Sequence, residues 1–385
     1  MEQRVLFTAS VYRHIQNFHL PYIEAFRAAG WQVHVACANA PAQIPGADLA
    51  VALPFTKRMS APENFAAART LRRMIRQNRY GLIVTHTALA AFFTRLAVKG
   101  LPHRPRLVNM VHGYLFDETT AGLKKGLLTG AEALTRPETD LLLAMNRWDY
   151  EYARAHRLGR QVELVPGIGV DFARLDCPEP GRGGALRREL GIPEEAFALL
   201  YAAEFSARKD QATLLRALTL LPPWIVLLLP GEGELLEDCR ALAKELGVAD
   251  RVRFPGHVDG MSGWYAAAGG AVSASRSEGL PFNLMEAMYL GLPIAATRVK
   301  GHTDLLGDMG LYFSPGAAQE CADQILALAQ NPELRRTLAA RNRAEVEQYA
   351  LDRVLPQIMA YYLEDPLFPE RRRALRVKIR QKELL

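Results

Sequence analysis

Short apolar runs alternate with longer amphipathic segments along most of the chain. Apolar runs of about four to eight residues are typical of strands buried on both faces, whereas a repeat of three and four is typical of helices. In the first half, strands are predicted at residues 4–9, 31–37, 82–86, 107–112 and 140–145. Helices are predicted at residues 17–29, 66–77 and 88–99. This alternation predicts right-handed βαβ units and a parallel sheet.

The same alternation returns in the second half, after a segment rich in proline and glycine at 177–184 that is typical of a linker. Strands are predicted there at residues 197–202, 225–229, 252–254 and 270–274, and helices at 210–220, 234–246, 317–328 and 332–350. The fold class is therefore predicted to be α/β, with two Rossmann-like, doubly wound domains that face each other across a cleft. The expected parts are an N-terminal domain at 1–175, a C-terminal domain at 176–365, and a basic, helical tail at 366–385.

Composition agrees with two ordinary globular domains, because the 385 residues are 49% apolar and 23% charged. The four cysteines show no paired spacing, which favours reduced thiols over disulfides or a zinc site. No signal segment opens the sequence and no apolar run reaches about 18 residues, so a cytoplasmic location is expected. The net charge of +6 suits anionic substrates or an anionic membrane surface, and is too small to indicate a nucleic-acid partner.

Two glutamates flank a turn and a helix start within residues 273–297. Glu278 precedes the turn at 279–283, and Glu286 lies about two turns into the predicted helix. Free backbone amides at a helix start attract a phosphate. Glu278 can accept hydrogen bonds from sugar hydroxyls, and Glu286 can bind both hydroxyls of a ribose. This arrangement predicts a nucleotide-sugar site; the alternative is a surface helix with two solvated glutamates.

The same stretch resembles a known signature. Ser275-Arg276-Ser277-Glu278-Gly279-Leu280-Pro281, continued by Glu286-Ala287-Met288 and Gly291-Leu292-Pro293, is similar to the donor site of the retaining glycosyltransferases of family 4, the glycosyl transferases group 1. The resemblance covers nearly the whole chain and implies the two-domain GT-B fold. It also implies retaining transfer from a nucleotide-sugar, with a UDP-hexose or UDP-N-acetylhexosamine favoured. The implied acceptor is a glycan or polyprenyl-linked sugar in capsule, exopolysaccharide or lipopolysaccharide synthesis.

Three further segments resemble donor-binding parts of this family. Residues 203–210 are similar to the loop whose cations hold the diphosphate, residues 230–233 to a glycine turn, and residues 254–258 to the segment that holds the nucleobase. Lys209 is expected to stabilise charge on the leaving diphosphate. Glu204 stands where the family usually has an arginine, and Arg208 is the candidate replacement. The donor-binding residues implied by the resemblance are Glu204, Arg208, Lys209, Gly231, His257, Val258, Glu278, Gly279, Leu280, Pro281, Phe282, Asn283 and Glu286.

Histidines occupy loops of the first half. His112 follows a predicted strand and matches the family histidine that lies beside the donor sugar, so the resemblance implies that His112, Lys209 and Glu278 are catalytic. Residues 10–21 resemble the His-x-x-x-Phe-His-x-Pro opening of a polysaccharide-synthesis subgroup. His14 and Asn17 are therefore candidates for contact with the acceptor. A packing or capping role is an equally good interpretation of both.

Two basic features have no place in this donor site. Five arginines crowd one predicted helix and its end, and residues 371–380 of the tail mix cations with apolar side chains. The arginines are Arg69, Arg72, Arg73, Arg76 and Arg79. A solvated helix face is the simplest interpretation. The other is contact with anionic lipid headgroups, which a lipid-linked acceptor would require.

Alternatives to the transferase remain open. A nucleotide-sugar epimerase of the same fold would rearrange the donor without an acceptor, and a non-catalytic member would scaffold a polysaccharide assembly complex. A nicotinamide dehydrogenase is disfavoured because residues 8–17 contain no glycine. No Asp-x-Asp pair stands in a metal-binding context, so the sequence predicts neither a metal nor another cofactor, and the nucleotide-sugar is a substrate.

Overall fold

The computed structural model describes residues 3–117, 120–175 and 181–363. It divides the chain into two compact units. The first unit contains the residues up to 168 and the C-terminal segment that begins at residue 352, and the second contains residues 169–351. The basic tail predicted at 366–385 lies outside the described residues, as does the first half of the linker predicted at 177–184.

The first unit is built on a parallel sheet of seven strands. They are β1 (Arg4–Val11), β2 (Gln32–Ala38), β3 (Leu49–Ala52), β4 (Leu82–His86), β5 (Arg106–Val111), β6 (Leu141–Ala144) and β7 (Gln161–Leu164). Its helices are α1 (Tyr12–Phe18), α2 (Leu20–Ala28), α3 (Pro62–Asn78), α4 (Ala88–Val98), α5 (Gly122–Thr135) and α6 (Arg147–Ala155), with a 3₁₀ turn at Arg136–Glu138. The order across the sheet is β3-β2-β1-β4-β5-β6-β7. The central strands are buried along almost their whole length, which explains their continuous apolar sequence.

The second unit repeats this plan with six parallel strands. They are β8 (Phe197–Leu200), β9 (Ile225–Pro230), β10 (Val252–Gly256), β11 (Gly270–Ser273), β12 (Ile294–Thr297) and β13 (Leu311–Phe313), in the order β10-β9-β8-β11-β12-β13. The helices are α7 (Arg182–Glu189), α8 (Gln211–Thr219), α9 (Leu236–Glu245), α10 (Met261–Ala267), α11 (Phe282–Tyr289), α12 (Lys300–Leu306), α13 (Ala318–Gln330) and α14 (Pro332–Val346). A further helix, α15 (Leu351–Leu363), begins at the end of this unit and belongs to the first unit from residue 352. Short 3₁₀ turns lie at Phe172–Leu175, Ala249–Arg251, Gly307–Met309 and Glu347–Tyr349.

In both sheets the strand order reverses beside the first strand. β1 pairs with β2 on one side and β4 on the other, and β8 pairs with β9 and β11. Loops that leave the carboxyl ends of two such strands run in opposite directions, which opens space for a ligand between them. The residues predicted for function are therefore expected to gather at these two points.

The first loop differs from its prediction. β1 continues to Val11 and α1 begins at Tyr12, whereas the sequence predicted that the strand ends at residue 9 and the helix begins at residue 17. A second helix, α2, begins at Leu20 with Pro21 in its first turn. A proline lacks an N–H donor and is tolerated at a helix start, so it divides the segment into two helices. His14 therefore lies on a helix and His19 at the junction between the two.

Residues 352–363 return to the first unit, whereas the sequence predicted that they belong to a C-terminal domain at 176–365. The ring of Tyr362 packs on Tyr22 and Phe26, with centroid distances of 6.0 and 5.9 Å. Arg106 donates hydrogen bonds to the carbonyl oxygens of Tyr361 and Tyr362 at 3.0 and 2.7 Å. These contacts bury Tyr362. Residues 352–363 therefore group with the N-terminal sheet, and the first boundary lies at 168/169 rather than 175/176.

Helix α5 is attached to α4 by a buried ion pair. Both terminal nitrogens of Arg95 donate to the carboxylate of Glu132, at 2.8 and 3.0 Å. The Arg95 side chain is 0% exposed and that of Glu132 is 9% exposed. Charges so far removed from water are tolerated only when they are paired.

Within the described residues, no helix has both the length and the apolar character needed to cross a bilayer.

Glu132→Ala is expected to lower the free energy of unfolding by about 3–5 kcal/mol, because it leaves Arg95 buried without its partner. The double variant Arg95→Met/Glu132→Leu should recover most of that loss, since apolar residues then replace both charges. Urea unfolding of both variants, followed by circular dichroism, measures the difference. Equal losses in the single and double variants would contradict this account of the pair.

Candidate active site

Two loops meet at the carboxyl edge of the second sheet, where β8 and β11 are neighbours. One loop carries residues 201–210 and the other carries residues 274–281. The hydroxyl of Tyr201 lies 3.0 Å from the carbonyl oxygen of Lys209 and 2.7 Å from Oγ of Ser275. Tyr201 and Ser275 are buried, so the contact between the loops is fixed from inside the protein.

Glu278 lies at the centre of these loops. Its Oε1 accepts a hydrogen bond from Oγ of Ser275 at 2.6 Å, is paired with Nζ of Lys209, and lies 3.1 Å from Nη1 of Arg208. The side chains of Glu278 and Lys209 are 9% and 12% exposed, and that of Arg208 is 44% exposed. Lys209 and Glu278, which the sequence predicted as separate contacts to the donor, thus form one ion pair with Arg208 on its open side.

The charges around Glu278 decide its protonation. Burial alone would raise the pKa of the Glu278 carboxyl, but Lys209 and Arg208 outweigh that effect and lower it to about 2. Behind the carboxylate, burial lowers the pKa of His302 to about 4, although Glu278 opposes the shift. His302 Nε2 lies 3.2 Å from Oγ of Ser273, the last residue of β11. At neutral pH the site therefore holds an ionised glutamate, two cations and a neutral imidazole.

Glu286 lies on α11 and is also held by side chains of its own unit. Its Oε2 accepts a hydrogen bond from the hydroxyl of Tyr265 at 2.8 Å, and its Oε1 is paired with Arg174. Burial, with the charge of Glu286, raises the pKa of Tyr265 well above its usual value, so the tyrosine remains a donor. The side chain of Arg174 is 53% exposed, which leaves the Oε1 side of the carboxylate open to exchange of partners.

The turn between the two glutamates is closely packed. Pro281 caps α11 in an extended conformation, and Nδ2 of Asn283 donates to the carbonyl oxygen of Ala202 at 3.1 Å. Leu280 and Phe282 are half-buried against the core. A Cβ atom on Gly301 would lie 2.6 Å from the carbonyl oxygen of Gly279, so α12 approaches the turn as closely as only a glycine permits. The start of α11 is therefore held in place from two sides.

The predicted glycine turn supports the cationic loop. Gly231 has φ of 149°, and a Cβ atom there would lie 2.0 Å from the carbonyl oxygen of Ala203. The amide of Gly231 donates to the carbonyl oxygen of Gly256 at 2.8 Å. In the same region, His257 is exposed with Asp259 3.8 Å from its Nε2, and Val258 is half-buried against the core.

Glu204 and Arg208 occupy different positions relative to Lys209. The side chain of Glu204 is exposed and forms no ion pair within the described part of the chain. Its carbonyl oxygen accepts a hydrogen bond from Nε2 of Gln211 at 2.9 Å. The second cation at the carboxylate of Glu278, beside Lys209, is therefore Arg208. Glu204 is not part of this ion pair.

The predicted histidines of the first unit gather at the carboxyl edge of its sheet. Nε2 of His112 lies 3.4 Å from Nε2 of His14 and 3.1 Å from Nδ1 of His86. The ring of His19 stacks on that of His86 with a centroid distance of 3.6 Å. Asn17, the other predicted acceptor residue, is exposed on α1. We call His14, His19, His86 and His112 the histidine cluster.

Burial keeps the histidine cluster uncharged. It lowers the pKa of His14 to about 4, and it lowers the pKa values of His19, His86 and His112 well below their usual range. The neighbouring rings add to the effect, because a second positive charge in the same place would be repelled. Neutral imidazoles can hydrogen-bond a sugar hydroxyl or bind a metal ion.

Both halves of the chain match glycosyltransferase families. Residues 17–167 match the glycosyl transferase 4-like domain, and residues 184–345 match the glycosyl transferases group 1 domain. The chain is 31% identical over 370 residues to the Bacillus subtilis (strain 168) protein EpsD, which is named as a glycosyltransferase. That match covers 94% of this chain and 97% of EpsD. The chain belongs to the glycosyl transferases group 1. The predictions of this family and of an enzyme are thereby confirmed.

This group 1 glycosyltransferase also resembles solved structures. HepE of Anabaena, in complex with UDP and glucose, superposes with a TM-score of 0.75 at 20% identity, over 93% of this chain and 98% of that one. The likeness confirms the predicted GT-B fold. An Escherichia coli protein named UDP-Gal:alpha-D-GlcNAc-diphosphoundecaprenol alpha-1,3-galactosyltransferase is 22% identical over 245 residues, which are 62% of each chain.

Four residues near the predicted sites were not predicted from the sequence. Arg174 and Tyr265, which hold Glu286, are far from it along the chain, and no motif indicates them. His19 and His86 complete the histidine cluster, and for these two a signal existed. His19 is the second histidine of the quoted His-x-x-x-Phe-His-x-Pro stretch, and His86 is the last residue of a predicted strand.

Acidification is expected to destabilise the wild-type protein more steeply than the Glu278→Gln variant. The folded-state pKa of Glu278, about 2, lies below the ordinary value of 4.5, so its stabilising contribution is fully present above the ordinary value. It is lost as the pH falls from the ordinary value towards the folded-state value. Urea unfolding at about pH 6 and about pH 4 measures the two slopes. Parallel slopes would show that Glu278 does not carry this charge pairing.

Proposed function

We propose that the protein is a retaining glycosyltransferase that moves a sugar from a UDP-sugar to a glycan or lipid-linked sugar in polysaccharide synthesis. The observation that carries the proposal is the group of Arg208, Lys209 and Glu278 at the switch point of the second sheet, one turn before the helix that carries Glu286. An arrangement of cations, a helix start and a second carboxylate suits a diphosphate between two sugars.

In this proposal the second unit binds the donor. The diphosphate lies against Lys209, Arg208 and the first amides of α11. The ribose hydroxyls bind the carboxylate of Glu286, where they replace the half-exposed Arg174 while Tyr265 keeps the other oxygen in place. Support for a uridine nucleotide comes from two similar proteins: HepE is described with UDP and glucose, and the Escherichia coli relative is named for UDP-Gal.

The chemistry follows from the charges. The bond between the anomeric carbon and the diphosphate oxygen breaks, and the acceptor hydroxyl oxygen bonds to the same face of that carbon. The hydroxyl proton passes to the departing phosphate oxygen. Lys209 stabilises the negative charge that develops on the diphosphate, and the pairing with Glu278 holds its ammonium group in place before reaction. His112 is proposed to hydrogen-bond a sugar hydroxyl.

Lys209→Met is expected to reduce transfer from a UDP-sugar by about 10²–10³-fold, the usual effect of removing one preorganised charge from a developing anion. Glu286→Gln should raise the Kd for UDP, because an amide is a weaker acceptor for ribose hydroxyls than a carboxylate. The measurements are a coupled assay of UDP release and calorimetry with UDP. Lys244→Met and Glu245→Gln, at two exposed residues of α9, are the matched controls, and both should retain wild-type values.

Three outcomes would overturn the proposal. Wild-type turnover in both Lys209→Met and Glu286→Gln would remove the assigned donor site. Complete conversion of a UDP-sugar to its epimer, without any acceptor, would favour the nucleotide-sugar epimerase of the same fold. A donor-independent scaffold would show no UDP binding by calorimetry.

A lipid-linked acceptor requires a membrane surface, and α5 is proposed to provide the contact. Leu123, Leu127 and Leu134 lie on one face of α5 and are 82%, 69% and 58% exposed. Such an apolar face suits the interfacial region of a bilayer. The arginines of α3 are a weaker candidate, because Arg72 donates to the carbonyl oxygens of two residues at the end of α4.

Leu123→Ser/Leu127→Ser is expected to reduce co-flotation with liposomes that contain anionic phospholipid, by at least about tenfold if each leucine contributes about 1 kcal/mol or more. Leu220→Ser, at a leucine of the second unit that is 51% exposed, is the control and should float like the wild type. Flotation that is unchanged in the double variant would exclude α5 as the contact, without bearing on the donor site.

A further inference from the structure

Four histidines from four separate elements converge where the strand order of the first sheet reverses. His14 comes from α1, His19 from the junction of α1 and α2, His86 from the end of β4, and His112 from the residue after β5. One ring nitrogen of each lies within 4.8 Å of those of the other three. These contacts bring together positions up to about a hundred residues apart in the sequence, so the convergence is a product of the fold.

The nitrogen spacing fits a single ion. A tetrahedral ion with nitrogen ligands at about 2.0–2.1 Å separates those nitrogens by about 3.3 Å. In two pairs of the histidine cluster, His14 with His112 and His86 with His112, the facing nitrogens are 3.4 and 3.1 Å apart. The four nitrogens, one from each ring, lie within 4.8 Å of one another, so binding of one ion requires the rings to turn, above all that of His19, which stacks on His86.

Several buried nitrogens of the cluster lack a partner. His19 and His86 are 0% exposed. Both ring nitrogens of His19 and Nε2 of His86 have no hydrogen-bond partner among the described residues. Leaving a buried polar atom unpaired costs about 1–3 kcal/mol, and a fold that leaves three such atoms in one place is expected to have another use for them.

Hydrogen bonds between the rings do not account for the arrangement. Each imidazole nitrogen has either one lone pair or one hydrogen in the ring plane. Nε2 of His112 faces both Nε2 of His14 and Nδ1 of His86. It can form a hydrogen bond with only one of these two nitrogens at a time. An ion placed among the rings accepts one lone pair from each of them, including one from His19, whose two ring nitrogens otherwise have no partner among the described residues.

We propose that His14, His19, His86 and His112 bind one divalent transition-metal ion of the zinc class. Imidazole nitrogen is a preferred ligand of zinc, copper, nickel and iron, whereas magnesium and calcium require oxygen ligands. Among the described residues, the group contains histidine alone, without a carboxylate or thiolate. The sequence predicted no metal because it has no Asp-x-Asp pair in a metal-binding context and no paired cysteines, and this proposal departs from that prediction.

Ligation would also define the chemistry of His112. Its Nε2 faces the cluster, so a bound ion takes the lone pair of Nε2 and leaves the proton on Nδ1. The ring then presents a fixed N–H donor, a form that suits an oxygen of a sugar or phosphate. The ion itself is proposed to position the four elements and the ring, and this role does not depend on which sugar is transferred.

Zinc binding to the full-length protein without a histidine tag tests the proposal. After removal of metal with a chelator and dialysis against Zn²⁺, mass spectrometry of the metal should give about one equivalent per chain. His19→Gln/His86→Gln should bind zinc at least about tenfold more weakly in competition with a chromophoric chelator, because even outer-shell partners contribute about 10–100-fold. His34→Gln is the control: this buried histidine of the same unit bonds to Tyr80 at 2.8 Å and should leave zinc binding unchanged.

A second measurement uses the wild-type protein and does not depend on the folding of a variant. Nitrogen NMR of the nine histidines, with and without Zn²⁺, should shift the ring signals of the four cluster residues. Shifts confined to the exposed His103, His156 and His257 would mean adventitious zinc and would overturn the proposal. So would a wild-type protein that binds no more zinc than the double variant, since the cluster would then be a set of packed imidazoles.

Discussion

The buried carboxylate of Glu278 must have cationic partners, and the geometry of the second unit's site depends on that requirement. Lys209 and Arg208 supply these charges from one loop, and Ser275 adds a hydrogen bond from the other. The buried hydroxyl of Tyr201 joins the two loops. Because the ion pair is largely shielded from water, it is weakened little by salt and its lysine has little freedom. A fixed ammonium group is what a developing phosphate charge needs, so one constraint of folding also prepares the chemistry.

The two sheets place different chemistry at equivalent positions. At the switch point of the second sheet, loops after the first and fourth strands bring cations to a carboxylate. At the switch point of the first sheet, the loops bring neutral imidazoles together in the histidine cluster. The topology therefore provides the same opening twice, and the residue types at the strand ends decide whether it suits an anion or a metal ion.

Local signals predicted much of the fold and part of the site. The alternation of apolar runs with amphipathic segments predicted the central strands of both sheets. The stretch around Glu278 and Glu286 predicted a turn after Glu278 and a helix that contains Glu286. The sequence did not predict the partners of Glu286, because Arg174 and Tyr265 reach it only through tertiary packing. Nor did it predict the return of the last helix, since the apolar face of α15 says nothing about which sheet covers it. Pro21, whose effect is local, explains the error in the first loop.

The return of α15 has a consequence for synthesis of the protein. The chain leaves the first unit after residue 168 and enters it again at 352, and where it does so Val170 and Leu351 are joined by a backbone hydrogen bond. The second unit is thus an insertion within the first. As the chain leaves the ribosome, the inserted unit can complete its sheet before Tyr362 is made, because residues 169–351 all precede it. The N-terminal unit is therefore completed after the inserted unit, and until then Tyr22 and Phe26 lack the ring that covers them.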